Sequence, residues 1–153
     1  MNQIKKKEKC IFFAFINFQC YIYIMEQLIV KGTEKTPEIN FNKQSGKLYI
    51  SGRSYSSDTF DFYKPVTVWL NQYVQDPREI TILEVNVDYF HSVSVKYLTS
   101  IVKKVAQLQE SGKSIQVMWL HQKDENDEDE AYDLGKSIEA EAKIKFEFIQ
   151  INE

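Results

Sequence analysis

The sequence predicts a single α/β domain, a mixed β-sheet with an N-terminal hairpin and about three packed helices. Three observations predict it. Along Thr81–Tyr89, Leu83, Val85, Val87 and Tyr89 alternate with Glu84, Asn86 and Asp88, the period of two that marks a sheet with one covered face. After a turn at Phe90-His91-Ser92-Val93-Ser94, the residues Val95, Leu98, Ile101, Val102, Val105 and Leu108 recur at helical spacing. Lys96, Lys103, Lys104, Gln107 and Gln109 fall outside that stripe. Finally, the segments run hairpin, helix, strand, helix, strand, helix, strand, an alternation that builds a sheet with helices on one or both faces.

In chain order, Met1–Ile24 differs from everything that follows. Lys5, Lys6, Lys7 and Lys9 precede the apolar Ile11-Phe12-Phe13-Ala14-Phe15-Ile16, and Tyr21-Ile22-Tyr23-Ile24 follows. A signal peptide has this outline, but Asn17 and Gln19 interrupt the apolar run and no small-residue cleavage site follows. The run is also shorter than the roughly 20 residues of a spanning helix. Residues 1–24 are therefore expected to be an extension read from too early a start, with a membrane anchor as the competing reading. The folded domain is expected over 25–153, opening at Met25.

Leu28-Ile29-Val30 is a short apolar run closed by Gly32. Thr36–Phe41 alternates as a strand with Pro37 at its head, Asn42–Gly46 is a turn, and Lys47–Gly52 returns to complete the hairpin. Phe62, Val66, Trp69, Leu70, Tyr73 and Val74 then mark a helix, capped by Ser57, Asp58 or Asp61. Pro65 leaves two possibilities, a helix beginning near Lys64 or an earlier turn kinked there. Asp76-Pro77 ends it. Beyond the central strand and helix, Ser111-Gly112-Lys113 is a stop, and Ser114–Leu120 a buried strand. A third helix is expected to begin within the acidic run Asp124–Glu130 and to continue through Ala131, Leu134, Ile138 and Ala142. Lys145–Ile149 is the last strand.

Composition excludes several classes. The net charge is −3, whereas nucleic-acid binders carry a basic face, so no nucleic-acid partner is expected. The only cysteines, Cys10 and Cys20, precede the domain, which removes a disulfide framework, a zinc–thiolate site and a cysteine nucleophile from it. No phosphate-binding glycine loop, metalloprotease helix or nucleophile elbow is present. His91 adjoins Ser92, but sequence neighbours rarely face each other as base and nucleophile. The acidic run lacks the glycine and terminal glutamate of a calcium loop and reads as a solvated or docking edge. No enzyme activity, cofactor, metal or membrane partner is expected.

The chemically informative place is the handover from the central strand to the second helix, which carries two hydroxyls, Ser92 and Ser94. A serine there can cap the helix, its oxygen accepting from an unpaired backbone N–H. It can also be a phosphoacceptor, because a phosphate suits the positive end of the helix dipole and would change how a partner docks. The two readings are compatible.

Several separated blocks carry a family resemblance: Thr36-Pro37-Glu38-Ile39, Gly52-Arg53-Ser54-Tyr55, Phe62-Tyr63-Lys64-Pro65 with Trp69 and Tyr73, Tyr89 to Lys96, Trp119, and Asp127-Glu128-Asp129 leading to Gly135. In these the chain from Met25 onward resembles the SiaC-type regulatory phosphoproteins, a bacterial family whose fold resembles the anti-sigma-factor-antagonist (STAS) fold. The resemblance implies a non-enzymatic, cytoplasmic partner-switching protein. A protein kinase would phosphorylate it and a PP2C-type phosphatase would reverse this. The unphosphorylated form would bind and activate a diguanylate cyclase, gating cyclic-di-GMP output and biofilm behaviour. The family's Asn-Thr-Ser-Ser segment corresponds here to His91-Ser92-Val93-Ser94, so Ser92 stands at the phosphorylated threonine and Ser94 at the last serine. Ser92 is the expected phosphoacceptor, with Ser94 second. Partner binding is expected from His91, Ser92, Val93, Ser94 and Lys96, together with Arg53 and Tyr55. The competing expectation is a constitutive binding module of the same fold that has lost the cycle.

Overall fold

The protein, analysed as a computed structural model, is described over residues 26–122 and 129–151. The expected extension at 1–24 and most of the acidic run lie outside the described residues. The elements are β1 (Gln27–Val30), β2 (Glu38–Asn42), β3 (Lys47–Ser54), α1 (Thr59–Tyr73), β4 (Ile80–Phe90), α2 (Ser92–Ala106), a 3₁₀ turn (Gln107–Ser111), β5 (Ser114–His121), α3 (Glu130–Ala142) and β6 (Phe146–Gln150). They form one six-stranded sheet in the order β1-β2-β3-β4-β5-β6. The β1–β2 and β2–β3 pairs are antiparallel, and every pair from β3 to β6 is parallel.

Register explains which face is covered. Phe41 pairs with Leu48, Leu48 with Leu83, Leu83 with Val117 and Val117 with Phe146, so one row of apolar side chains crosses five strands on a single face. Ile39, Ile50, Val85, Trp119 and Phe148 form a second row beside it. All three helices lie on this face. Helix α1 brings Trp69 against Phe41, with ring centroids 5.3 Å apart, and Tyr73 within 2.7 Å of the Thr81 hydroxyl. Helix α2 buries Leu98, Ile101, Val102 and Val105 in the same core. The Trp119 indole N–H donates to Ala131 O at 2.8 Å and holds the first turn of α3 on β5. The reverse face carries Asn40, Tyr49, Glu84, Met118 and Glu147 in register, a mixed row that no described helix covers.

The structure differs from the sequence expectations in four places. The apolar run at Leu28 is a sixth strand, which pairs with β2 and so sits at the antiparallel edge. Of the two starts expected for α1, the one near Lys64 is not realised: the helix begins at Thr59, after Asp58, one of the expected caps, and holds Pro65 within its second turn. There the missing N–H costs only the bond to Asp61, near a helix start that already has unpaired groups. Leu108 belongs to a tighter 3₁₀ turn rather than to α2. The fourth difference decides the site. Gly52 pairs with Val87 but Arg53 pairs with Tyr89, so Asp88 is an extra residue bulged out of β4. One added residue inverts a two-residue alternation. Tyr89, expected in the core, is therefore exposed, and Phe90, expected in the turn, is the buried last residue of the strand. Across the bulge Gly52 has φ +93°, a left-handed value that disfavours any side chain.

Gly135 marks the closest approach of α3 to the sheet. A Cβ there would lie 2.7 Å from the Trp119 ring and 2.8 Å from Phe148. Overpacking of this kind costs about 1–3 kcal/mol, against a gain of at most about 1 kcal/mol from alanine's helix propensity. Gly135→Ala is therefore expected to lower the urea midpoint, and a midpoint at or above that of the parent chain would contradict this packing.

Candidate functional site

The carboxyl ends of β3 and β4 and the amino end of α2 meet at one corner of the sheet. The Ser54 carbonyl accepts from His91 N–H at 2.9 Å, and Arg53 and Ser54 pair with Tyr89 and Phe90. These contacts bring Arg53, Tyr55, Tyr89, His91, Ser92 and Val93 to a common surface, although the two stretches are far apart in the chain. Tyr55 meets Tyr89 edge-on, with centroids 6.2 Å apart and planes at 69°. Tyr55, Tyr89 and Val93 are all exposed, an apolar patch of the kind that marks a protein-docking surface. Arg53 Nε stands 3.8 Å from Asp88, an exposed pair that adds charge more than stability. On the other side of Tyr89 is a recess of about 150 Å³, lined by Val87, Phe90, Val95, Leu134 and Glu130 among others.

The two serines differ sharply. Position N-cap belongs to His91, which is extended (φ −65°, ψ 152°) and makes no side-chain cap bond, so Ser92 is the first helical residue and not a cap. Ser92 is exposed, and among the described residues its hydroxyl has no hydrogen-bond partner. The ladder of α2 begins only with Val95 N–H donating to His91 O at 3.0 Å, which leaves the N–H groups of residues 92–94 outside it. The first turn of α2 has no carboxylate, whereas α1 has Asp61 and α3 has Glu130 and Asp133. An anion on Ser92 would thus meet free amides and an uncompensated helix dipole.

Ser94 points the other way. It is 1% exposed, and its oxygen accepts from the Ser54 hydroxyl at 2.8 Å. Tyr63 OH is 3.0 Å from the same Ser54 oxygen. Ser54 has a single proton and gives it to Ser94, so Tyr63 is the donor to Ser54. The Tyr63 ring stacks on Tyr97 of α2, centroids 4.7 Å apart and planes within 7°. Three buried hydroxyls therefore tie β3, α1 and α2 together directly beneath Ser92. In this conformation the Ser94 hydroxyl is buried and bonded, whereas that of Ser92 is exposed. Lys96 lies one turn beyond Ser92 on the exposed side of α2.

A second polar contact fastens the neighbouring helix. His121 Nδ1 at the end of β5 is 2.5 Å from Asp129 Oδ2, and the other Asp129 oxygen accepts from Tyr132 N–H as the N-cap of α3. Among the described residues no group of three or more histidine, cysteine or carboxylate side chains is placed to hold a metal, and no helix is long and apolar enough to cross a membrane.

A model of the family described as SiaC family regulatory phosphoprotein matches residues 30–151. The chain belongs to that family. It resembles the crystallised SiaC of Pseudomonas aeruginosa with a TM-score of 0.72 at 19% identity, over 82% of this chain and 98% of the other. A similar match, TM-score 0.72 at 20% identity over 81% of this chain and 99% of the other, is to a chain in the crystal structure of the diguanylate cyclase SiaD in complex with its activator SiaC from the same organism. In sequence it is 24% identical over 95 residues to an uncharacterised protein of P. aeruginosa strain UCBPP-PA14, covering 62% of this chain and 75% of that one. At these identities the solved structures establish the SiaC fold, a mixed six-stranded sheet with three helices.

Sequence reading missed Tyr89, Asp88 and the positioning hydroxyls of Ser54 and Tyr63. Tyr89 continued the alternation of β4, and no residue of that strand signals the bulge. Tyr63 was visible only as part of a matching block, and Ser54 as part of another and as the start of the Ser54–Asp58 loop, a weaker candidate for partner binding.

The hydroxyl cluster makes two measurable predictions. Ser54→Ala would strand the hydroxyls of Tyr63 and Ser94 without their shared partner, and a loss of about 1–3 kcal/mol is expected in denaturant unfolding. Burial raises Tyr63 from the usual 10.0 to about 12, against the opposing pull of its Ser54 hydrogen bond. From pH 10 to 12 the unfolded chain releases this proton while the folded chain holds it. The contribution is thus complete below pH 10 and is lost as pH climbs towards 12, by roughly 2 kcal/mol. Alkaline unfolding curves of the parent chain and Tyr63→Phe should converge across that interval, and a constant offset would rule out the assignment.

Proposed function

We propose that this chain is a non-enzymatic, cytoplasmic switch protein of the SiaC family, phosphorylated on Ser92, that in its unphosphorylated form binds and activates a diguanylate cyclase. A protein kinase and a PP2C-type phosphatase set its state. The observation that carries this reading is the division of labour at the start of α2. Ser92 offers a free, exposed hydroxyl above unpaired amides, while the neighbouring Ser94 is buried and bonded. A kinase seated on this corner would transfer the terminal phosphoryl group of a nucleoside triphosphate to Ser92 Oγ. The Oγ–P bond forms, the bridging P–O bond breaks, the diphosphate departs, and the hydroxyl proton passes to the kinase's base. The product carries about −2 charge at the edge of the Tyr55–Tyr89–Val93 patch. An activator that docks through that patch would lose complementarity on modification and regain it on hydrolysis. Support also comes from the related complex, in which SiaC is the activator of the cyclase SiaD.

Incubation with a kinase of the same genome, followed by peptide mass spectrometry, is expected to place a single phosphate on Ser92 and none on a Ser92→Ala chain. Modification elsewhere with Ser92 untouched would overturn the site. Ser92→Asp should lower the affinity for the cyclase about tenfold; binding equal to the parent chain would instead identify a constitutive module.

A further inference from the structure

Beyond the Ser92 corner, α2 continues as one wall of an open groove of about 430 Å³, lined by Val95, Lys96, Thr99, Ser100, Lys103, Lys104, Gln107 and Glu141. This lining has three ammonium groups and one carboxylate. In a chain whose net charge is −3, it is a local reversal of sign. Lys103 pairs with Glu141 of α3 at 2.6 Å, which borders the groove on that side, and Lys104 is hydrogen-bonded to Asn71 of α1. Among the described residues Lys96 has no ion-pair partner, and it is exposed at the end nearest Ser92.

We infer that this groove docks an acidic helical segment of the protein partner, and that a phosphate on Ser92 closes it by taking Lys96. Charge selects an anionic occupant. From Val95 to Gln107 the lining runs ~18 Å at the helical rise of 1.5 Å per residue, the length of a helix of about three turns. Val95, the Thr99 methyl and the lysine stems give such a helix an apolar floor between the charges. No aromatic ring lines the groove, so it lacks the stacking surface on which single-stranded nucleic acids depend. It is continuous with the docking corner, since Val95 borders both the groove and the recess beside Tyr89.

The coupling part of this inference rests on Ser92 being the phosphoacceptor; the docking part does not. Residues four apart on a helix are surface neighbours, so a phosphate on Ser92 and the Lys96 ammonium would form a charge-assisted pair. With three lysines and one glutamate the groove carries about +2, and the phosphate's roughly −2 cancels it. Modification would then both occupy the groove's free cation and abolish its net attraction.

The test uses a fluorescein-labelled amphipathic helical peptide with glutamate on one face and leucine on the other, followed by fluorescence anisotropy against the full chain. The peptide is expected to bind. Lys96→Glu and Lys103→Glu should each weaken it about fivefold or more, while Lys31→Glu, a control outside the groove, leaves binding unchanged. Raising salt from 50 to 200 mM should reduce affinity severalfold. The inference is overturned if the acidic peptide does not bind, if a lysine-for-glutamate version binds equally well, if the control substitution weakens binding as much, or if an oligonucleotide of equal charge competes equally. Cyclase activation, measured in parallel, separates the two readings. Equal activation by the parent chain and Lys96→Glu would sink the groove and leave the activator function standing. Peptide binding without any activation would sink the function and leave the groove.

Discussion

The residue inserted at Asp88 decides what the parallel part of the sheet presents at its end. Up to Val87, β4 places every second side chain beneath the helices, and an unbroken alternation would have continued with Tyr89 inside. With Asp88 bulged out, the following residues exchange faces: Tyr89 goes to solvent, Phe90 closes the core, and α2 starts from a point that leaves Ser92 outward. Gly52, on the paired strand, takes the backbone conformation that this shift requires. Bulges are uncommon between parallel strands and favour functional rims, because they re-aim side chains without disturbing the ladder below. Here the re-aimed side chain joins Tyr55 to build the exposed patch beside Ser92.

Under that surface the three hydroxyls of Ser54, Tyr63 and Ser94 act as a rigid mount. Each belongs to a different element, and their hydrogen bonds run in one direction, from Tyr63 through Ser54 to Ser94. A buried polar network of this kind contributes little net stability when complete and costs much when one member is lost, so it specifies one arrangement. The helix start cannot shift relative to β3 without breaking it. The switch we propose would need such a mount, because a phosphate alters partner affinity predictably only when its position relative to the docking residues is held.

Two neighbouring surfaces divide the recognition we propose. The corner offers aromatic and apolar contact, which contributes affinity, and the lysine groove along α2 offers charge, which steers and orients. Both begin within one turn of Ser92. The phosphate we propose on Ser92 would therefore act on both, by placing charge against the apolar patch and by capturing Lys96.

Much of this was legible in the chain itself. The row of apolar residues in β4, the stripe of α2, the hairpin and the order of elements follow from periodicity, because burial of one face imposes its period on the sequence. The hydroxyl pair at the head of α2 was visible for the same reason: a strand ending and a helix beginning are both local events. Which of the two serines faces out was not, since Ser92 and Ser94 are equivalent as text and differ only because Ser54 and Tyr63 arrive from elsewhere to bury one of them. The exposure of Tyr89, the edge strand β1 and the groove between α2 and α3 belong to the same class. Each depends on which segments become neighbours, and pairing between residues distant along the chain leaves no mark in either segment alone.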